Sequence, residues 1–279
     1  MRVSHVPRHL LMGTAALALA ACGGGGSGLR TIPMPPATPT PAATPTGALS
    51  APPGGVTGTT SFTTLGDQLT IRWDADAKVY EISVPGGGAG KVVQTFAGEF
   101  GASGDLVATD GSKIYSVSAP NAYSYTGEIE LFNSNSHLIT AFGVPTPVGG
   151  VPTTGSATFD AQLNGHAGQW PLYGTALLKF DFGAGTLSGY MDPHTNGPME
   201  SPTLPRYTFT QTVFSAGSTT FSGSFDFAGP TPSSFQGQFT GPNAQELMAS
   251  FKAPFLDWDA NENPTVWNVM EGVMIGKRR

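Results

Sequence analysis

The chain is predicted to be all-β, with short antiparallel strands leading into an eight-stranded antiparallel barrel. Three observations carry this. First, from about residue 60 apolar and polar residues alternate. Leu69, Ile71 and Trp73 share one face, as do Tyr80, Ile82 and Val84; later come Ala157, Phe159, Ala161 and Leu163, then Ala176, Leu178, Phe180 and Phe182. Phe221, Gly223, Phe225 and Phe227 continue the pattern, followed by Phe235, Gly237, Phe239 and Gly241. Successive side chains leave a strand on opposite sides, so period two marks a strand with one buried face. Second, turn chemistry separates the runs, as in Gly183-Ala184-Gly185, Ala216-Gly217-Ser218 and Gly229-Pro230-Thr231-Pro232. Third, no long stretch joins helical periodicity to capping residues. Glycine on the same face as phenylalanine further implies curvature and close backbone approach, as in a small barrel with a filled interior.

The N-terminal element is not part of that fold. Arg2 and Arg8 precede an uncharged run from Leu10 to Leu19. The run is short of the roughly 20 apolar residues that span a bilayer, so residues 1–21 read as a cleavable export signal. It closes on Leu19-Ala20-Ala21-Cys22, and Cys22 is the only cysteine. That tetrapeptide fits the lipobox cut by the lipoprotein signal peptidase. Thioether attachment of diacylglycerol to Cys22 is therefore expected, with acylation of the new N-terminus. Two or three acyl chains anchor stably where one is marginal. Gly23 rather than aspartate follows, which makes the Gram-negative outer membrane the default destination.

Residues 22–59 are the predicted tether. Gly23 to Gly26 is followed by eight prolines between Pro33 and Pro53, with almost nothing to bury. Such a segment is expected to be disordered or extended as polyproline II. Beyond it, residues 60–150 read as a handle-like subdomain of short strands and residues 151–279 as the barrel. Loss of Arg2 and Arg8 takes 13 basic residues to 11 against 19 acidic ones, a net charge of −8. An acidic chain without a basic run argues against nucleic acid as partner. The outward faces carry Thr, Ser, Asp and Gln, which suit water rather than lipid, so an integral membrane barrel is disfavoured.

From about Ser61 onward the chain resembles the barrel domain of transferrin-binding protein B and related bacterial surface lipoproteins. Four stretches carry the resemblance. Ala141-Phe142-Gly143-Val144-Pro145-Thr146-Pro147, with Gly155-Ser156-Ala157-Thr158-Phe159, is similar to the family's lead-in to the barrel. Phe180-Asp181-Phe182-Gly183-Ala184-Gly185-Thr186-Leu187-Ser188-Gly189 is similar to a family hairpin. The most specific is Phe235-Gln236-Gly237-Gln238-Phe239-Thr240-Gly241-Pro242-Asn243-Ala244-Gln245-Glu246-Leu247, a strand followed by a Gly-Pro-x-Ala-x-Glu turn. The fourth is Gly276-Lys277-Arg278. Met248-Ala249-Ser250 and Ala161 depart from glycines common in the family. The chain has room for one lobe, and it carries no counterpart of the transferrin-contacting loops. The resemblance implies surface display and partner binding by a single-lobe member, with Gly237, Phe239, Gly241, Pro242, Ala244 and Glu246 as a structural motif. Pro242 fixes φ after the strand, and Asn243 to Leu247 is expected to form one helical turn, with Glu246 holding local backbone donors.

Other motifs fail where their chemistry is exacting. Gly86-Gly87-Gly88-Ala89-Gly90-Lys91 has Pro85 and Val92 where a phosphate loop needs glycine and Ser/Thr, so it reads as a hairpin loop. Asp257-Trp258-Asp259-Ala260-Asn261-Glu262-Asn263 lacks the sixth-position glycine and the bidentate acid of a calcium loop. His137, His166 and His194 are scattered, without zinc spacing. No nucleophile elbow is present. No metal, cofactor or catalytic role is therefore expected. Core filling is the default for Trp73, Trp170, Trp258 and Trp267. Trp170 and Trp258 adjoin loop signals and are the better candidates for a binding edge, with long loops expected at 145–156, 191–205 and 254–265.

The expected protein is a monomeric, non-catalytic, lipid-anchored outer-membrane protein. It would bind a macromolecule or a haem or iron carrier, with display on the cell surface. The alternatives are a periplasm-facing structural or envelope lipoprotein, and a lipocalin-like carrier with a hollow barrel.

Overall fold

The computed structural model describes residues 59–67, 69–74, 76, 79–84, 92–97, 105–107, 113–116, 123–132, 137–195, 204–258 and 264–279. The signal, Cys22, the tether up to Gly58 and the loop from Gly86 to Lys91 lie outside the described residues; Thr59, the last residue of the expected tether, is already in the first strand. Nine short strands come first: β1 (Thr59–Ser61), β2 (Thr63–Gly66), β3 (Thr70–Asp74), β4 (Val79–Val84), β5 (Val92–Ala97), β6 (Asp105–Val107), β7 (Lys113–Ser116), β8 (Thr126–Phe132) and β9 (His137–Gly143). They form two antiparallel sheets, ordered β1-β3-β4-β5 and β2-β9-β8-β7-β6. Eight longer strands follow: β10 (Ser156–Ala167), β11 (Trp170–Asp181), β12 (Thr186–Thr195), β13 (Tyr207–Val213), β14 (Thr220–Phe225), β15 (Ser234–Thr240), β16 (Glu246–Trp258) and β17 (Pro264–Arg278). These close into an antiparallel barrel in sequence order, β17 pairing back onto β10.

The period-two faces point inward. Phe159, Leu178, Phe180, Phe209, Phe239 and Phe255 are fully or almost fully buried in one continuous cluster. Phe239 is its hub, with ring centroids 4.8 Å from Phe180, 5.3 Å from Phe221 and 5.7 Å from Phe159. Small barrels leave an interior just wide enough for side chains to fill. Here the fill is phenyl rings, which disfavours a hollow carrier. The glycines make the packing possible. Phe221 pairs with Gly237 and Gly223 with Phe235 across adjacent strands. A Cβ on Gly237 would sit 2.2 Å from the Phe221 ring, and one on Gly223 2.6 Å from that of Phe235. Each ring thus lies over the bare backbone of its neighbour strand.

The five-stranded sheet is covered on both faces. Ile129, Leu131 and Phe142 pack with Ile71, Trp73 and Ile82 of the four-stranded sheet. On the opposite face Ile139 and Ala141, with Tyr123, meet Met248, Val273 and Ile275 on the outer wall of the barrel. Pairing of Glu128 with Ala141 and of Glu130 with Ile139 puts both glutamates on this barrel-facing side.

Candidate functional site

The motif around Glu246 joins the sheet to the barrel. After β15 the chain turns through Gly241 at φ +72°, then Asn243 at +59° and Ala244 at +53°. Consecutive left-handed residues cannot continue a right-handed helix, so the expected helical turn is replaced by a tight left-handed one. Ala244 is buried within it. A Cβ on Gly241 would meet the Tyr125 ring at 2.4 Å. Glu246, 1% exposed, accepts hydrogen bonds from the backbone N–H groups of Ser124 at 2.7 Å and Tyr125 at 2.9 Å. Its donors are therefore not local but come from the segment leading into β8. The lead-in stretch docks on the same turn. Thr146 N–H donates to the Phe239 carbonyl, Thr146 Oγ1 to the Gly241 carbonyl, and Gly241 N–H to the Val144 carbonyl. Two stretches far apart in sequence thus form one joint. Gly237 and Phe239 serve the barrel interior beside it; Pro242 is exposed on the turn.

Next to this joint the seam between sheet and barrel holds titratable groups. Glu128 is 3% exposed; burial first of all pushes its carboxyl up to about 8, against the pull of Asn164, and its Oε1 has no hydrogen-bond partner. His137 on β9 faces His166 on β10, ring centroids 4.2 Å apart and nearly perpendicular. Glu130 bonds His137, and Asp67 accepts from Ile139 N–H at 2.7 Å. Burial lowers both histidines and raises Asp67 and Glu130. The histidines are 29 residues apart in sequence, and only the pairing of sheet with barrel brings them together. Among the described residues no group of His, Cys, Asp and Glu is placed to hold a metal ion.

The third candidate region is one end of the barrel. Pairing of β15 with β16 stops at Ser234 and Lys252, and pairing of β10 with β17 stops at Ala167 and Met270. Beyond those points Ala253–Trp258 and Pro264–Val269 ladder with each other, a two-stranded ribbon about 20 Å long whose base is packed, with Phe255 in the core and the Pro254 carbonyl accepting from Tyr207. Within the expected long loop at 254–265, residues 254–258 and 264–265 are strand. Val266 is 45% exposed and Trp267 43%, with Tyr173 at 39% near the same rim. Trp267 is not core filling, as its default reading had it; it stands outside with Phe227 at 6.0 Å. Trp73 is in the core at 2% exposed. Trp170 opens β11 at this rim, half-buried, with its Nε1 lacking an acceptor. The side chain of Trp258 lies outside the described residues, and its backbone pairs with Pro264 in the ribbon. β12 also ends here, Thr195 pairing with Leu172, so the first five residues of the expected loop at 191–205 are strand, whereas 145–156 leads to the opposite end.

No family model matches the sequence, and no curated protein does. The structure resembles solved structures of transferrin-binding protein B. Against a mutant from Haemophilus parasuis the TM-score is 0.47 at 14% identity, covering 82% of this chain and 47% of that one. Against the isotype 1 protein from serogroup B Neisseria meningitidis it is 0.43 at 17%, covering 77% and 52%. A structure described as a surface lipoprotein gives 0.38 at 11%, covering 79% of this chain and 98% of that one. The chain spans about half the length of these transferrin-binding proteins.

Proposed function

We propose that the mature chain is anchored in the outer membrane through lipid on Cys22, with signal residues Leu19, Ala20 and Ala21 removed. The tether (22–59) then carries the handle (60–150) and barrel (151–279) as a non-catalytic binding module for a protein or a haem or iron carrier. The observation that carries this reading is the ribbon. A rigid, phenyl-filled barrel projects two paired strands bearing Val266 and Trp267, and three of the four large apolar residues exposed among the described ones lie at this end. Exposed apolar groups gathered at one place mark interaction sites, and tryptophan is enriched among residues that dominate binding energy. Transferrin is what the solved neighbours are named for; for this chain the partner is defined by capture.

Trp267→Ala should leave folding intact and abolish capture of the partner retained by the wild-type protein on intact cells; equal capture removes the ribbon from the site. Cys22→Ser should release the protein from the membrane fraction, and protease added to intact cells should cleave the wild-type domain. Survival until the outer membrane is permeabilised would place it in the periplasm.

A further inference from the structure

A groove of about 890 Å³ runs between the β2–β9 edge of the five-stranded sheet and the outer wall of the barrel, away from the ribbon tip. Its floor is a row of side chains in register across three strands. Ser222 pairs with Gln236, and Gln236 with Ser250. With strands about 4.8 Å apart, the row is about 10 Å wide, the reach of a disaccharide. Ser222, Gln236 and Ser250, together with Ser234 and Gln211, make no side-chain hydrogen bond to another described residue. All five offer both donors and acceptors.

Gln211 is placed there against its own preference. Between Thr210 and Val213 the β13–β14 register slips, and Gln211 sits at φ +46°. A non-glycine residue in the left-handed region is strained, and bulges re-aim side chains beside functional sites. The charges at the other end of the groove are already matched. Lys252 Nζ lies 3.2 Å from Glu271 Oε2, Glu130 bonds His137, and Asp67 holds Ile139 N–H. Among the described lining residues Lys252 is the one lysine or arginine, and its pairing leaves no surplus cation of that kind to select a phosphate, sulfate or carboxylate. The floor strands belong to a closed barrel with both edges paired, so an extended peptide cannot add to them as a further strand.

We propose that this groove binds a neutral, polyhydroxylated ligand, a short stretch of uncharged oligosaccharide lying across the row from Ser222 to Ser250, with Gln211 and Gln236 as its main hydrogen-bonding residues. Sugar hydroxyls need donors and acceptors in equal measure and no net charge, which is what this surface presents. The site is separate from the ribbon and binds a different class of partner.

The full chain, purified in detergent, is applied to a glycan array and then titrated calorimetrically with chitohexaose, maltohexaose and any stronger neutral hit. Gln236→Ala and Gln211→Gly should each weaken binding about tenfold, the loss expected when one or two neutral hydrogen bonds go. Gln211→Gly should at the same time keep the thermal midpoint at or above wild type, because glycine tolerates the left-handed backbone. Trp267→Ala should bind sugar normally, which separates this site from the ribbon. An array silent for neutral glycans, a response confined to sulfated or sialylated ones, or unchanged affinity in both glutamine variants would overturn the proposal.

Discussion

The barrel interior and the seam beside it both hold the fold together, yet they are built from opposite materials. Inside the barrel, rings of phenylalanine meet bare glycine backbone, and the buried Tyr207 hydroxyl is satisfied by the Pro254 carbonyl. On the outer side of the barrel wall, Glu128 is buried and Glu130, Asp67, His137 and His166 are part-buried beside the five-stranded sheet, and part of their hydrogen-bonding capacity is unused. The interior gains from every apolar atom removed from water. The seam gains from Met248, Val273, Ile275 and their partners but loses by desolvating ionisable groups. One region is therefore fixed and indifferent to pH. The other joins two bodies through contacts whose strength depends on protonation.

The comparison can be broken first at its rigid side. Phe239→Ala removes the ring touching Phe159, Phe180 and Phe221 and leaves a cavity that the neighbouring rings cannot fill. A loss of about 3–5 kcal/mol is expected in urea unfolding, the same at pH 5.5 and pH 8. A loss that varies with pH between those values would show the interior to be coupled to the seam.

Glu246→Ala comes next. It strips the acceptor from Ser124 and Tyr125 N–H while leaving every barrel ring in place. Two charge-assisted bonds are lost, and about 2–4 kcal/mol is expected. Protease should then cut near residue 124 before the barrel opens. Simultaneous loss of both bodies would mean that the joint is not a separable unit.

Glu128→Gln tests the seam's response to base. Burial raises the folded carboxyl to about 8 from its ordinary 4.5. Between those values the unfolded chain gives up a proton that the folded chain keeps, so wild-type stability falls as pH rises from about 4.5 to 8. The slope from this one group is at most about 1.4 kcal/mol per pH unit. Glutamine carries no proton to lose, so the variant should match wild type near pH 4.5 and exceed it at pH 8. Parallel curves across that range would show that Glu128 is ionised in the folded protein.

The interior was legible in the sequence because its signal is local. Ala157 to Leu163, Ala176 to Phe182 and Phe235 to Gly241 each display their buried face within one strand. The Gly-Pro-x-Ala-x-Glu turn was legible as a motif, but its geometry was not. Nothing near Asn243 announces two left-handed residues, and the donors that Glu246 serves lie more than a hundred residues earlier. The seam was hidden for a related reason. In Thr126-Gly127-Glu128-Ile129-Glu130-Leu131 the alternation is visible, but only the docked barrel shows that the glutamate face is covered. The ribbon was misread as a loop because Pro264 and the Asp/Asn run before it are turn signals, while the partner that sustains the strands is the other arm of the same hairpin.

The smallest expected effect lies on the acid side of the seam. His166 is lowered by burial and by His137 opposite it, against Glu130, Asp67 and Glu271, which favour its charged form; His137 is lowered chiefly by burial. A histidine lowered in the folded state binds fewer protons there than in the unfolded chain. Its contribution to stability therefore falls as pH drops through about 6.5. Raised Asp67, Glu130 and Glu128 act in the opposite sense over the acid range, since each keeps its proton longer when folded. The two tendencies oppose each other between about 4.5 and 6.5, so the wild type should show a shallow profile there. His166→Phe preserves a ring against His137 but cannot take up a proton. It should match wild type at pH 7.5 and become relatively more stable by pH 5.5, where only the carboxyl slope remains. If the variant and the wild type trace the same acid profile in urea unfolding, the histidine pair does not titrate across the seam and the acid response belongs to the carboxyls alone.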